Sequence, residues 1–231
     1  MTASIVSIDA LDLVVDDTVW PFAQIRRAEI DACFEAARRA KPELWNGRIL
    51  LLHRYAIENG TLRGAFLETD FASLFSWREW GWPEVGIRDC FAAAAIESVD
   101  GAFLLGVMGS HTANAGRVYF PCGTPDRDDI AEGRVDLDGS VARELKEETG
   151  LDLGTLAVTP GWTLVQTGVH LTLIKWARSA ETADVLHGRI TAYLASTAKP
   201  ELSGVRFIRK GDSFTPDMPD FVTAFLSNIW R

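Results

Sequence analysis

Cysteine is scarce in this chain of 231 residues, which contains Cys33, Cys90 and Cys122 and no others. The three are widely spaced, odd in number and without a CxxC pair. Such a set forms neither a disulfide framework nor a cysteine zinc site. We therefore expect three reduced thiols.

Long apolar runs are also missing from the sequence. No stretch approaches the ~18 consecutive apolar residues that can cross a bilayer. The opening segment, MTASIVSIDALDLVVDD, carries acids where a secretory leader carries basic residues. These absences predict a cytoplasmic protein that does not engage a membrane.

Basic residues are fewer than acidic ones: the chain has 23 Lys and Arg and 32 Asp and Glu, which gives a net charge of -9. A protein that tracks a nucleic-acid backbone needs a basic surface to neutralise phosphates, so nucleic acid is excluded as a partner. A small phosphorylated ligand stays compatible with the composition, since divalent cations can lie between acidic side chains and an anion.

What the chain does have is 47% hydrophobic residues and enough length for one large domain with a smaller attachment. The first part predicts a strand in SIVSIDALDLVV, a helix between Pro21 and Pro42, a hairpin at Asn59-Gly60 and a short helix in FASLFSWRE. We assign residues 1–85 to an N-terminal α+β domain, called the N-terminal unit below.

Three tryptophans crowd the end of this unit, at Trp77, Trp80 and Trp82. Large aromatic side chains are more often packing residues than ligand contacts. We expect the three rings to pack between two units of the protein and weigh this against a platform that stacks on a base.

The chain from Ile87 onward alternates strands with a few helices. Strands are predicted around turns at Asp100-Gly101 and Gly168, in RVYFPCG and in GVRFIRK, with helices before Pro200 and at DMPDFVTAFLSNIW. This order indicates a mixed α/β domain over residues 86–231, in which helices cover a mixed sheet.

A helix with defined ends is predicted in the middle of that domain. Asp136 is a suitable N-cap and Gly150 a suitable residue for the left-handed position after the last turn, so the helix spans about residues 137–149. Val141 and Leu145 form its inward stripe.

Three carboxylates share one face of this helix. At 100° per residue, Glu144, Glu147 and Glu148 lie on neighbouring ridges, and their mutual repulsion needs a positive partner. The commoner arrangement is a solvated face with ion pairs to residues such as Lys146.

The pattern R-E-x-x-E-E-x-G is longer than a charge run, however. At ~6% per residue type it arises by chance on the order of once in several thousand such chains. Carboxylate oxygens are hard ligands that suit Mg²⁺ or Mn²⁺.

The segment RELKEETGL resembles the second half of the Nudix box, which reads R-E-U-x-E-E-x-G-U with U apolar. The resemblance implies a Nudix-like α/β/α sandwich from about Ile87 onward. It also implies that Glu144, Glu147 and Glu148 bind Mg²⁺ or Mn²⁺ and that Arg143 orients the glutamates through charge-assisted hydrogen bonds.

The first half of the box departs from the family pattern. Counting back from Arg143, the family's earlier glutamate would fall at Val135 and its glycine at Asp129. The nearest glycine after a strand is Gly123, which lies 20 residues before Arg143 and not 14. By resemblance, its backbone contributes to the metal or phosphate site, where a missing side chain allows close approach.

An insertion of six residues in DRDDIAEGRVD accounts for the difference. Three acids of this segment are candidates to replace the missing glutamate: Asp129, Glu132 and Asp136.

The resemblance implies hydrolysis of a diphosphate that is linked to another moiety, with metal ions stabilising charge and activating a water. Glu144, Glu147 and Arg143 are the expected catalytic residues of the helix. The general base comes from a helix glutamate or from Glu201, which precedes a strand; a solvated turn residue is an equal alternative for Glu201.

The expected partner is a nucleoside diphosphate derivative, a nucleotide sugar or a molecule of the ADP-ribose type. The N-terminal unit resembles the leading region of some Nudix enzymes that act on nucleotide sugars, which implies a role in the substrate pocket or in a homodimer contact. Four other residues are expected to be packing or surface groups: His170, His187, Trp162 and Phe120.

Three alternatives stay open at this point. The chain could be a non-catalytic Nudix-fold protein that binds a nucleotide and regulates another process. It could be a prenyl diphosphate isomerase, for which Cys122 would be the reactive cysteine. It could also be a structural domain with an acidic helix.

Overall fold

The computed structural model describes residues 3–231. Within these residues no helix is both long and apolar enough to cross a membrane. The strands, in chain order, are β1 (Ser4–Ile8), β2 (Ala10–Val15), β3 (Arg48–Glu58), β4 (Thr61–Asp70), β5 (Asp89–Glu97), β6 (Phe103–Met108), β7 (Val118–Tyr119), β8 (Cys122–Gly123), β9 (Ile130–Ala131), β10 (Arg134–Val135), β11 (Ala157–Val158), β12 (Trp162–Thr167), β13 (His170–Arg178) and β14 (Leu202–Ile208).

The helices pack on two sheets formed by these strands. They are α1 (Pro21–Ile25), α2 (Arg27–Ala40), α3 (Phe71–Glu79), α4 (Leu137–Thr149), α5 (Ala183–Ser196) and α6 (Asp220–Ile229). The helix predicted between the two prolines is thus divided into α1 and α2, because the backbone leaves helical geometry at Arg26 (φ -100°, ψ 19°).

The first sheet has the strand order β3-β4-β2-β10-β9. Its β3 and β4 are antiparallel and meet at the predicted hairpin turn, where Asn59 (φ 49°) and Gly60 (φ 76°) both adopt left-handed backbone conformations. Strand β2 pairs with β4 in parallel.

The second sheet has the order β1-β12-β13-β5-β6-β14, with β7 on β6, β8 on β5 and β11 on β13. Gly123 pairs with Ala92 of β5, and an atom at its Cβ position would meet Glu144 of α4. The adjacent Phe91 points to the opposite face, where its ring contacts Phe221 of α6. Helices therefore lie on both faces of a mixed sheet, and the predicted α/β class is confirmed.

Each sheet contains a piece from the other half of the chain. The stretch predicted as one strand, SIVSIDALDLVV, makes two: β2 belongs to the first sheet, whereas β1 pairs antiparallel with β12 of the second. In the opposite direction, the inserted segment forms the hairpin β9–β10, and Arg134 pairs with Val14 of β2. A domain boundary at residue 85 stays a prediction. Strand β1, before this residue, belongs to the second sheet, and strands β9 and β10, after it, belong to the first.

The tryptophans at the end of the N-terminal unit pack as expected. Trp77 is fully buried, and Trp82 meets it edge to face with ring centroids 4.7 Å apart. Trp82 also meets His170 of β13 edge to face at 4.9 Å. The aromatic cluster thereby joins the N-terminal unit to the second sheet.

Candidate functional site

Helix α4 has the limits that its capping residues predict. The Asp136 carboxylate accepts a hydrogen bond from the Gly139 backbone N–H at 2.9 Å, and Gly150 ends the helix at φ 73°. Val141 and Leu145 are fully buried against the sheet. Because both ends and the inward stripe are fixed, the direction of each glutamate on this helix is fixed as well.

The three glutamates of α4 differ sharply in exposure. The Glu147 side chain is 61% exposed, and that of Glu144 is 14% exposed. Glu148 is 3% exposed, and within residues 3–231 neither of its carboxylate oxygens makes a well-formed hydrogen bond. The nearby backbone N–H of Cys122 lowers its pKa, but too little to offset burial. An unpartnered buried carboxylate is costly unless a cation or a proton compensates it.

Burial raises the carboxyl pKa values of the two inner glutamates. The pKa of Glu144 rises to about 7, because burial outweighs the opposing attraction of Arg143. The pKa of Glu148 is raised well above its ordinary value by burial, and the negative charges of Glu144 and Glu201 add to this effect. Two buried carboxyl groups that resist ionisation lie beside each other.

These two carboxyl groups fit a divalent cation in their chemistry. They offer hard oxygen donors, and the Glu148 oxygens are not taken up by any well-formed hydrogen bond within the described residues. Among residues 3–231, no group of three or more His, Cys, Asp or Glu side chains is already gathered around one point at metal-binding distance. Glu147 accounts for part of this, since its carboxylate faces solvent, 3.3 Å from Arg143.

Gly123 lies directly against Glu144. A Cβ atom at this position would be 2.4 Å from Glu144 Oε1 and 2.7 Å from Oε2, so any side chain here would force the Glu144 carboxylate to move. The structure therefore brings the glycine loop predicted for the site to the glutamates, and the glycine is what allows the carboxylate to reach the loop.

Arg143 binds three acids. Its Nη2 donates to both carboxylate oxygens of Asp129 at 3.0 and 3.1 Å. Its Nη1 lies 2.7 Å from Glu144 and 3.3 Å from Glu147. Arg143 thus holds the Glu144 carboxylate in place beside Gly123, as a group that orients a ligand would.

Asp129 is the one of the three inserted acids that pairs with Arg143. It is 3% exposed and is the last residue of the short 3₁₀ turn that precedes β9. Glu132 is exposed in the turn of the β9–β10 hairpin at φ 51°, and Asp136 caps α4. Counted along the sequence, Asp129 stands where the family pattern has a glycine.

Glu201 lies close to the same site. Its charge contributes to the raised pKa values of Glu144 and Glu148, and its backbone oxygen accepts a hydrogen bond from Gly109 N–H at 2.7 Å. Its side chain is exposed to solvent. A solvent-exposed acid whose charge acts on the inner glutamates is suited to act on a water molecule there.

The other residues considered from the sequence have packing or surface roles. Phe120 is fully buried, and Trp162 packs beneath Lys175, whose Nζ is 3.6 Å from the ring centroid. His187 is exposed on α5. His170 Nδ1 is 3.1 Å from the carboxylate of Asp89.

Cys122 does not have the surroundings of a reactive cysteine. Burial raises the pKa of its thiol well above the ordinary value, and Glu148 and Glu144 raise it further. A nucleophilic or acid-base cysteine needs an electropositive environment that stabilises the thiolate. This geometry disfavours the isomerase alternative.

Sequence reasoning missed Tyr119, which precedes the glycine loop. It lies four residues before Gly123, which meets Glu144, and its pKa is raised by burial and by Cys122, Glu148 and Glu201. Its hydroxyl accepts a hydrogen bond from Asn114 Nδ2 at 3.1 Å. Its position in YFPCG, three residues before the cysteine, was the available signal.

Two clefts open on the first sheet and its helices. One, of about 380 Å³, includes Arg27, Arg48 and Glu68 in its lining, and another, of about 370 Å³, includes Arg54 and Arg63. The glutamates of α4 line neither cleft, so these clefts are separate from the candidate site.

Comparison with known proteins gives structural likenesses alone. No protein-family model matches the chain, and no curated protein matches it. Among solved structures, the chain is similar to RenU, a Nudix hydrolase from M. smegmatis, with 14% identity, a TM-score of 0.39, and coverage of 61% of this chain and 81% of that one. It is also similar to the MutT protein from Methanosarcina mazei Go1, with 18% identity, a TM-score of 0.37 and coverage of 62% and 96%.

A third similar structure is a bifunctional NMN adenylyltransferase/ADP ribose pyrophosphatase from Francisella tularensis. The identity is 14%, the TM-score is 0.42, and the likeness covers 68% of this chain and 44% of that one. RenU is a Nudix hydrolase, and the segment RELKEETGL of this chain resembles part of the Nudix box.

Proposed function

We propose that this protein hydrolyses the pyrophosphate bond of a nucleoside diphosphate that is linked to another moiety, such as a sugar or the terminal ribose of ADP-ribose. Mg²⁺ or Mn²⁺ would be held by Glu144, Glu147 and Glu148 together with the backbone at Gly123. The observation that supports this most directly is the buried carboxylate of Glu148, which makes no well-formed hydrogen bond within residues 3–231 and lies beside Glu144.

The ion, when bound, supplies positive charge for phosphate oxygens and a water of lowered pKa. The chain's own residues supply the positioning. Arg143 holds Glu144 at 2.7 Å and is itself held by Asp129. Glu201, as a hydrated acid next to the inner glutamates, is the residue we assign to removing a proton from the attacking water.

The residue pattern supports hydrolysis more strongly than a purely structural role. A structural acidic helix would direct its glutamates to water, where ion pairs cost little. Here two of the three are turned inward, and a glycine is needed for one of them to fit. Burying acids without partners destabilises a fold, so a structural role does not explain them.

The non-catalytic binding protein is the second candidate. The observation that favours it is Val135, which occupies the position of the family's earlier glutamate and is 6% exposed, so it cannot serve as a base or a ligand. Under this candidate the nucleotide binds and is not cleaved.

The test is a panel of nucleoside diphosphate derivatives, assayed for product release with Mg²⁺ or Mn²⁺. Glu144→Gln, Glu147→Gln and Glu148→Gln remove one charge each at nearly constant volume. We expect each to lower turnover at least roughly 100-fold, beyond the 10–100-fold usual for groups that only orient a ligand. Glu132→Gln, which changes an exposed acid in the β9–β10 turn just before α4, is the matched control, and its turnover should equal that of the wild type.

Wild-type protein that binds Mn²⁺ and a nucleotide without releasing product would establish the binding candidate. Protein that binds neither would refute both. The homodimer contact and the cytoplasmic location predicted from the sequence stay predictions.

A further inference from the structure

The loop that joins β6 to β7, residues 109–116, is anchored to the helices of the N-terminal unit. Lys41, just after α2, donates from Nζ to the backbone oxygen of Thr112 at 2.8 Å. Arg78, in the last turn of α3, donates from Nη1 to Asn114 Oδ1 at 3.0 Å. Both contacts join positions more than 30 residues apart in the chain. The loop is therefore tied to a different unit from the one it belongs to.

The same loop touches two groups of the candidate site. Asn114 Nδ2 donates to the Tyr119 hydroxyl at 3.1 Å, and Gly109 N–H donates to the Glu201 backbone oxygen at 2.7 Å. Because the hydroxyl of Tyr119 accepts this bond, its own proton is free to be donated. Tyr119 is 7% exposed and leads into the loop of Gly123, which meets Glu144.

Arg78 is held in place by its neighbours in α3, so it can anchor the 109–116 loop. The adjacent Trp77 is fully buried, and the Arg78 guanidinium lies 4.9 Å from the centroid of the Phe75 ring. Its planar group can hold a side chain and the loop backbone at once. The loop offers little packing of its own, since residues 114–117 are all exposed. The order of the loop then comes from its anchors.

We propose that Arg78 is a positioning residue for the reaction: through Asn114 and the 109–116 loop, the N-terminal unit holds the Tyr119 hydroxyl and the Glu201 backbone beside the glutamates of α4. This inference rests on the proposed function. It assigns the N-terminal unit a role in ordering the site, with Tyr119 as the link between the 109–116 loop and the loop of Gly123.

The test is a double-mutant cycle in the full-length protein with Arg78→Ala, Asn114→Ala and the combination. Each single variant should lower kcat about tenfold while KM stays within about twofold, because a displaced group costs rate at unchanged binding. The combined variant should be no slower than either single one, since both remove the same connection. Arg78→Lys, which keeps the charge without the planar fork, should recover part of the rate.

Hydrogen exchange provides a readout that does not depend on turnover. In Arg78→Ala, backbone amides of residues 117–123 should exchange faster than in the wild type. Arg38→Ala is the matched control, because Arg38 is a half-exposed arginine of α2 whose ion pair with Glu35 lies on the surface. It should leave both kcat and exchange unchanged.

The outcomes separate the inference from the proposed function. If the wild type hydrolyses no member of the panel, the proposed function fails and this inference falls with it. If the wild type is active and Arg78→Ala behaves like Arg38→Ala in rate or in exchange, the inference alone is refuted. Additive losses of rate in the cycle would also refute it, because Arg78 would then act by a route other than Asn114.

Discussion

The guanidinium of Arg143 binds both carboxylate oxygens of Asp129, at 3.0 and 3.1 Å, and Asp129 directly precedes the β9–β10 hairpin, which extends the other sheet. Asp129→Asn removes the charge and keeps the shape. We expect turnover to fall roughly 10–100-fold, as for other groups that orient a ligand through a neighbour. Steady-state kinetics check this, with Asp128→Asn on the exposed neighbour as the control. An Asp129→Asn enzyme with wild-type kcat would show that Arg143 needs no buried partner.

Replacing Gly123 tests the approach of Glu144 to the glycine loop. The added Cβ of Gly123→Ala would lie 2.4 Å from Glu144 Oε1, so the carboxylate must move away. We expect Mn²⁺ affinity, measured by calorimetry, to fall roughly tenfold or more. Gly204→Ala is the matched control in β14, where the new methyl group would meet nothing within 4 Å. Equal affinities in the two variants would contradict a metal role for this loop.

The buried glutamates predict an unusual dependence of stability on pH in the metal-free protein. The folded-state pKa of Glu144 is about 7, against 4.5 for an unperturbed glutamate. The folded state therefore holds more protons than the unfolded state between these values, and the free energy of unfolding falls as pH rises from about 4.5 to 7. At about 1.4 kcal/mol per pKa unit, the loss is on the order of 3 kcal/mol.

Urea unfolding in EDTA across this pH range measures the effect. Glu144→Gln removes the titrating group and should flatten the curve, whereas Glu58→Gln, an exposed glutamate, should leave it unchanged. Added Mg²⁺ should restore stability above pH 7, because it binds the folded state alone. A wild-type free energy of unfolding that rises steadily from pH 4.5 to 7 would show that the carboxyl group is not buried in solution.

A substitution at Val135 tests whether this position of the altered half-motif acts in packing or in catalysis. Its side chain is 6% exposed in the core shared by the two sheets. Val135→Ala should lower the free energy of unfolding by about 1–2 kcal/mol through the lost methyl groups and leave kcat within a few-fold. Chemical denaturation and kinetics on the same preparation test this. A collapse of kcat with the fold intact would show that this position still acts in the reaction.

The parts of the structure that the sequence predicts correctly are those with local causes. Helix α4 ends where Asp136 and Gly150 place its caps, and the β3–β4 hairpin turns at Asn59-Gly60. Capping and turn formation depend on residues within a few positions of each other, so they can be read directly from the chain.

The parts that the sequence does not predict depend on distant pairs. Nothing near Ser4 in the chain indicates that β1 pairs with β12, more than 150 residues away. The unequal burial of the three glutamates likewise follows from where the Gly123 loop and Asp129 pack against α4. The candidate residues could be identified from the sequence, but the residues that contact them could be identified only from the folded structure.

The exchange of strands between the sheets also limits how the protein can be divided. A fragment of residues 86–231 would lack β1 and leave one edge of β12 without hydrogen bonds, and its β9–β10 hairpin would have no sheet to join. An exposed strand edge invites aggregation. We therefore expect truncation at residue 85 to give an insoluble product, and the intact chain to unfold in a single cooperative transition.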